Sequence, residues 1–257
     1  MSSALKDNVY IVTGGSKGFG LAIAKTLVAS GARVGLLSRN QEDLDRAVAE
    51  LGSDDAFGVT ANVMHVDDIG SAFDAINSHY GRVDGLINNA GIARPNTVEN
   101  LVEAEVLMQV HTNFIGTVFC CQASVPLLRG GDNPRIINIS SASAHHYDEM
   151  SHLSIYAATK AAVERFSRDL RAELQHDGIG VSCIRPGMAG TNFSAGWNAE
   201  ALSAGLRAWA HRGTHMDIGM SAGHVGEAVV YALMQPKGVA VDLLELRPNI
   251  PTPKIGH

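Results

Sequence analysis

The sequence predicts an α/β protein: a doubly wound parallel sheet of about seven strands with helices on both faces, forming a single domain over residues 1–257. Three observations carry that prediction. Short apolar runs alternate with stretches whose apolar residues recur at helical spacing. Most of the runs are apolar at every position, as parallel strands covered on both faces are. The chain has 257 residues, 46% hydrophobic and 18% charged, which is enough for one large core and too apolar for a disordered chain. Repeated β-α units then close into such a sheet through right-handed crossovers.

Taken in order, residues 9–12, 34–37, 57–59, 86–87, 136–139, 181–184 and 239–244 read as strands. Between the third and fourth, Ile69, Phe73 and Ile76 lie at spacings of four and three, one face of a helix. Residues 101–128 form a longer helical segment, expected to break near Pro126, which has no N–H for the helix ladder. Val163, Phe166, Leu170 and Leu174 mark a helix between the fifth and sixth strands. No repeat or low-complexity linker interrupts the series.

Composition narrows the function. A net charge of -6 and a pI near 6.0 offer no footprint for nucleic acid or an anionic membrane. Cys120, Cys121 and Cys183 suggest buried thiols in a reducing compartment, not a disulfide framework. The N-terminal residues lack a basic segment followed by an apolar stretch, and no run approaches the length of a membrane span, so a cytoplasmic location is expected. Eleven histidines include the adjacent His145 and His146, but no His or Cys set has the spacing of a zinc site, and no metal is expected.

The first strand runs into Thr13-Gly14-Gly15-Ser16-Lys17-Gly18-Phe19-Gly20. Gly14 lets the chain turn off the strand, Gly18 lets backbone approach a pyrophosphate, and Gly20 lets the helix pack closely on the sheet. The N-terminus of that helix faces the anion. Strand, glycine turn and Ala/Leu-rich helix together point to a dinucleotide. The second strand ends at Leu37-Ser38-Arg39, where an acidic residue would hold the adenosine ribose of NAD. No carboxylate stands there. Ser38 leaves room for a 2′-phosphate, and Arg39 and Lys17 are expected to pair with it at roughly 1.5 to 3 kcal/mol each, which makes NADP the expected cofactor. The other reading of both cations is solvated surface charge.

Tyr156 and Lys160, four apart on the predicted helix, share one face. A phenol titrates near pH 10, so ionising it near neutrality needs about three pH units, roughly 4 kcal/mol. An ammonium about 4 Å away supplies roughly that at an effective dielectric of 20. The pair is expected to act as proton donor and acceptor, as a carbonyl reductase or alcohol dehydrogenase requires. An isolated pair would also fit an aromatic ring covered by a lysine stem.

Together these motifs resemble the single-domain subgroup of the short-chain dehydrogenase/reductase family over nearly the whole chain. The glycine turn looks like its cofactor turn, Asn88-Asn89-Ala90-Gly91 like its fourth-strand motif, and Tyr156 to Lys160 like its active-site pair. Asn113, in His111-Thr112-Asn113-Phe114-Ile115-Gly116, falls where the family places a catalytic asparagine, and Pro186-Gly187-Met188-Ala189-Gly190-Thr191 resembles the segment that closes over the nicotinamide.

The resemblance implies a Rossmann-type sheet and NADP(H)-dependent interconversion of a carbonyl and an alcohol. Tyr156 would exchange a proton with the substrate oxygen, Ser141 would hydrogen-bond it, and Lys160 would bind the nicotinamide ribose and lower the tyrosine pKa. Asn113 would open its helix and hold a water joining the lysine to solvent; an asparagine inside a helix is locally unfavourable in any case. The cofactor would be held by Gly14, Ser16, Lys17, Gly18, Phe19 and Gly20 in the first turn and by Ser38 and Arg39 after the second strand. Asn62 and Val63 take the adenine position, where an aspartate is usual. Asn89, Ala90 and Gly91, then Tyr156 and Lys160, then Pro186, Gly187 and Thr191 complete the cofactor set.

The catalytic serine has two candidates. Aligning Asn138-Ile139-Ser140-Ser141 on the strand end selects Ser141, whereas the commoner family spacing to Tyr156 selects Ser143. Strand ends are fixed by the sheet and loops can lengthen, so Ser141 is preferred. Ser143, His146 and Met188 join Ser141 as expected substrate contacts. The lid expected over residues 192–223 contains Phe193, Trp197, Leu202, Leu206 and Trp209, which suggests an apolar or aromatic small-molecule substrate or, equally, a lid helix packing on the body. A homo-oligomer, dimer or tetramer, is implied through residues 108–121 and 161–174. A noncatalytic NADP-binding scaffold would share the fold but has no need of the tyrosine, lysine, serine and asparagine.

Overall fold

The computed structural model describes residues 5–145, 151–190, 193–194, 196–212 and 219–250. The strands are β1 (Val9–Thr13), β2 (Arg33–Ser38), β3 (Ala56–Thr60), β4 (Gly85–Asn88), β5 (Arg135–Ile139), β6 (Gly180–Pro186) and β7 (Leu243–Leu246). They form one parallel sheet in the order β3-β2-β1-β4-β5-β6-β7. The winding reverses between β1 and β4, and the crevice outside their carboxyl ends is where such sheets bind ligands.

The helices are α1 (Gly18–Ala29), α2 (Gln41–Leu51), α3 (Val66–Tyr80), α4 (Glu103–Val110), α5 (Gly116–Leu128), α6 (Ser154–Leu174), α7 (Ala199–Arg212) and α8 (Ala222–Leu233). Alternation along each strand splits the core in two. Tyr10 and Val12 face one layer, with Ile23 and Leu27 of α1, Leu44 of α2 and Val229 of α8. Val9 and Ile11 face the other, with Phe73 and Ile76 of α3, Cys120 and Cys121 of α5, and Leu170 and Leu174 of α6. Of the segments expected to mediate assembly, Cys120 and Cys121 of α5 and Leu170 and Leu174 of α6 are turned toward the sheet, whereas Met108, Val110, Phe114, Ile115 and Val118 are only partly buried. Among the described residues no helix is long and apolar enough to cross a membrane.

Two elements depart from the expectation. The segment 101–128 is interrupted not at Pro126 but at a π-helical turn, His111–Ile115, between α4 and α5. Pro126 is accommodated in the last turn of α5, where the carbonyl it leaves without a helical partner belongs to the exposed Gln122. The seventh strand lies further along than 239–244. Arg135, buried on β5, donates to the carbonyls of Val239 (2.6 Å) and Gln235 (2.8 Å), which turns the first half of that apolar run away from the ladder. Pairing with β6 starts only at Leu243.

Candidate functional site

At the end of β1 the glycine turn is shaped by sterics. Gly14 has φ +63 and Gly18 has φ +55, a region that favours glycine. A Cβ on Gly20 would lie 2.1 Å from the Gly14 carbonyl oxygen, so only glycine lets α1 approach the strand this closely. Nothing stands within 4 Å of a Cβ built on Gly18, which leaves the N-terminus of α1 open. This bare cradle, with Phe19 half-buried behind it, fits a pyrophosphate. Asn89 holds it in place by donating through Nδ2 to the carbonyls of Thr13 (3.0 Å) and Gly14 (3.3 Å). Thr13 Oγ1 accepts from the backbone N–H groups of Asn89 and Ala90.

Beside the turn, Ser16 Oγ donates to Ser38 Oγ (2.9 Å), tying it to the end of β2. Arg39 is exposed and makes no ion pair among the described residues. Lys17, expected to stand free with it, is instead paired with Asp43 of α2 (2.6 Å). Sequence reading passed over this carboxylate because it is not at the strand end. Its signal was Asn40 three residues earlier, a helix cap whose Oδ1 accepts from the Asp43 N–H (2.9 Å). Asn62, at the end of β3, accepts from the Met64 N–H in a local turn, and the carbonyl of the adjacent Val63 approaches Gly116 so closely that a Cβ there would lie 2.7 Å away.

The four expected catalytic side chains converge at the carboxyl ends of β4 and β5. Ser141 Oγ accepts from Ser143 Oγ (3.0 Å) and, more loosely, from its N–H (3.3 Å), and it stands beside the Tyr156 phenol, whose pKa it acts to lower. Ser143 thus stands behind Ser141. Lys160 Nζ donates to the Ile139 carbonyl (2.8 Å) and lies 5.9 Å from the centre of the Tyr156 ring. Gly91 lines the same space; a Cβ on it would come within 3.2 Å of Nζ. Asn113, fully buried, clasps Ile92 by accepting from its N–H and donating to its carbonyl, both at 2.8 Å. Its Nδ2 also donates to Thr159 Oγ1 (3.0 Å), which in turn donates to the Tyr156 carbonyl (2.7 Å). The π turn is what swings Asn113 inward.

Electrostatics here overturn one expectation. The lysine is not among the groups that shift the tyrosine pKa. Burial pushes the phenol up to about 12, against a smaller lowering by the Ser141 hydrogen bond. Burial also pulls Lys160 down to about 8. Desolvation, acting on both, outweighs the attraction inferred from their spacing.

A second layer lies behind the strand ends. Ser140 Oγ donates to Glu164 (2.7 Å), and Arg185 of β6 bridges Glu164 (2.6 and 2.8 Å) to Glu245 of β7 (2.8 Å). The lid side is aromatic. Phe193 packs on Tyr156 with ring centres 5.3 Å apart, and Trp197 and Trp209 continue the series at 5.8 and 6.5 Å. Trp209 donates to the Ser151 carbonyl (2.6 Å), whereas the buried Trp197 indole N–H has no partner among the described residues. Pro186 ends β6, Gly187 donates to the Leu246 carbonyl (2.7 Å), and Met188 is exposed. His146 and Thr191 lie outside the described residues, as do parts of the expected lid.

A doubly wound sheet whose switch-point crevice holds an open glycine cradle and a buried phenol defines an α/β oxidoreductase fold. Comparison with known proteins gives the family. Residues 8–202 match the short chain dehydrogenase family. An uncharacterized oxidoreductase of Staphylococcus aureus (strain USA300) is 31% identical over 246 residues, 96% of this chain and 99% of that protein. Among solved structures, a serine dehydrogenase in its closed form with NADP+ is 27% identical, with a TM-score of 0.80 over 93% of this chain and 94% of that one. The 3-ketoacyl-(acyl-carrier-protein) reductase of Brucella melitensis with NADH is 25% identical, with a TM-score of 0.81 over 94% and 97%. The chain belongs to the short-chain dehydrogenase family of oxidoreductases.

Proposed function

We propose that the protein reduces a ketone or aldehyde to the alcohol, and runs the reverse reaction, with NADP(H) as cofactor and Tyr156 as acid and base. The observation that carries this reading is the meeting of Ser141 with the buried Tyr156 phenol, in a cluster that also receives Lys160 and, through Thr159, Asn113. When bound, the dinucleotide supplies or accepts the hydride. The side chains handle the proton. Ser141 and Tyr156 together offer a substrate oxygen two hydrogen-bond partners. Tyr156 is protonated throughout the neutral range because its pKa is about 12, so it gives its proton to an alkoxide, a far stronger base than a phenolate. That favours reduction. Lys160, protonated below about pH 8, supplies a cation beside Gly91 for the nicotinamide ribose. Asn113 positions the tyrosine through Thr159 and the loop after β4 through Ile92.

NADP is supported by Arg39, which makes no ion pair among the described residues, and by Lys17 beside Ser16 and Ser38, at the strand end that lacks a carboxylate. The solved relatives carry both NADP+ and NADH, so the preference rests on these residues. An apolar or aromatic substrate is supported by the aromatic cover of Phe193, Trp197 and Trp209 over the phenol. A cytoplasmic homo-oligomer completes the proposal, with light scattering as its test. The reaction is tested with a panel of aromatic ketones, small aldehydes and secondary alcohols followed by NADPH absorbance. Tyr156→Phe is expected to abolish turnover and leave NADPH binding nearly intact; substantial residual turnover overturns the assignment.

A further inference from the structure

Lys17 is one of two cations assigned to the cofactor's 2′-phosphate, yet it is already paired. The two partners differ in how firmly they are held. Asp43 is 8% exposed, sits in the first turn of α2, and has its backbone N–H capped by Asn40. Lys17 projects from the N-terminus of α1 with its side chain 64% exposed. The carboxylate is anchored and the ammonium comes to it. A third residue completes the arrangement: Arg46, one turn on from Asp43 and largely exposed, also binds the carboxylate.

We infer that Asp43 is a resident competitor for Lys17 that weakens NADPH binding and leaves NADH binding untouched, with Arg46 as the counter-ion that takes over when Lys17 leaves. The inference rests on the NADP reading above. A phosphate monoester carries about -1.5 to -2 charge near neutrality, more than a carboxylate, so it draws Lys17 off Asp43. A dinucleotide without that phosphate offers only the pyrophosphate, which the glycine turn and the N-terminus of α1 already hold, and no monoester at the end of β2 to draw Lys17 off Asp43, so the pair stays closed. Leaving a carboxylate without a counter-ion after the exchange would oppose it. Arg46 removes that obstacle, because Asp43 keeps one cation throughout. Arg39, free of any carboxylate among the described residues, meets no such competition.

Two substitutions should act in opposite directions. Asp43→Asn frees Lys17 and is expected to tighten NADPH by about two- to fivefold, the scale of partly exposed ion pairs. Arg46→Gln leaves Lys17 as the only counter-ion of Asp43 and is expected to weaken NADPH by about two- to fivefold on the same scale. Neither should change NADH affinity. In a Lys17→Ala background the gain from Asp43→Asn should vanish. Isothermal titration of each purified full-length variant with NADPH and, separately, NADH reads all of this without turnover. Unchanged NADPH affinity in Asp43→Asn overturns the inference. So does weaker NADH binding in that variant, which would make Asp43 a partner of the ribose. The NADP reading fails on a different result: wild-type protein that prefers NADH and whose NADPH affinity is indifferent to Lys17→Ala and Arg39→Ala.

Discussion

The choice between Ser141 and Ser143 can be settled by removing each hydroxyl in turn. Ser143→Ala takes away the 3.0 Å hydrogen bond that its hydroxyl donates to Ser141 Oγ, while the N–H of residue 143 still reaches Ser141 Oγ at 3.3 Å. A neutral hydrogen bond contributes about 0.5–1.5 kcal/mol net, so even if all of it is felt in the transition state, kcat falls by about two- to twelvefold. Ser141→Ala removes the group hydrogen-bonded to the phenol and, with it, the donor to the oxygen on which charge develops. Losing one such donor costs about 10²–10³ in kcat. The two variants should therefore differ by at least about tenfold. Initial rates at saturating NADPH and ketone, with circular dichroism to confirm folding, measure the gap. A loss of a hundredfold or more in Ser143→Ala, with Ser141→Ala within about tenfold of wild type, would refute the reasoning.

Other expected outcomes follow from the same geometry. Lys160 is depressed from 10.5 to about 8 by burial, so the unfolded chain binds more protons between those pH values and this group's contribution to stability rises across that window. Lys160→Met should then raise stability at pH 7 by up to about 3 kcal/mol, with the gain gone by about pH 10.5; urea unfolding of cofactor-free protein at several pH values reads the trend. Gly20→Ala drives a Cβ to 2.1 Å from backbone and should cost at least about 1–3 kcal/mol, whereas Gly70→Ala in α3, with nothing within 4 Å, should gain about 0.5–1 kcal/mol in the same assay. Phe193→Ala opens the cover over Tyr156 and should raise KM for aromatic ketones more than for small aldehydes; equal effects on both would count against an aromatic-lined substrate site.

The strands and the glycine turn were legible because their signals are local. Continuous apolar runs specify strands covered on both faces, and the roles of Gly14, Gly18 and Gly20 follow from backbone geometry within eight residues. Asn113 was legible as a misfit, an amide where a helix has no use for one, and the π turn is how the chain accommodates it. What escaped depends on contacts distant in sequence. Nothing near Val239 announces that Arg135 will claim its carbonyl and delay β7. Nothing near Lys17 announces Asp43, which α2 brings across from the second β-α unit. Glu164, Arg185 and Glu245 come from three elements and meet because α6 packs on β6 and β6 pairs with β7.

The sign of the tyrosine shift fails for a different reason. Four-residue spacing says that the two groups share a helix face; it does not say how much water they keep. At the distance assumed from sequence, an ammonium in a half-solvated setting would have ionised the phenol. In the folded protein the ammonium turns to the Ile139 carbonyl, and burial pushes each partner toward its neutral form, the phenol upward and the ammonium downward. Between about pH 8 and 12 neither is charged, and at pH 7 only the lysine is. A neutral phenol is set to give a proton, and the phenolate it leaves takes one back in the reverse reaction.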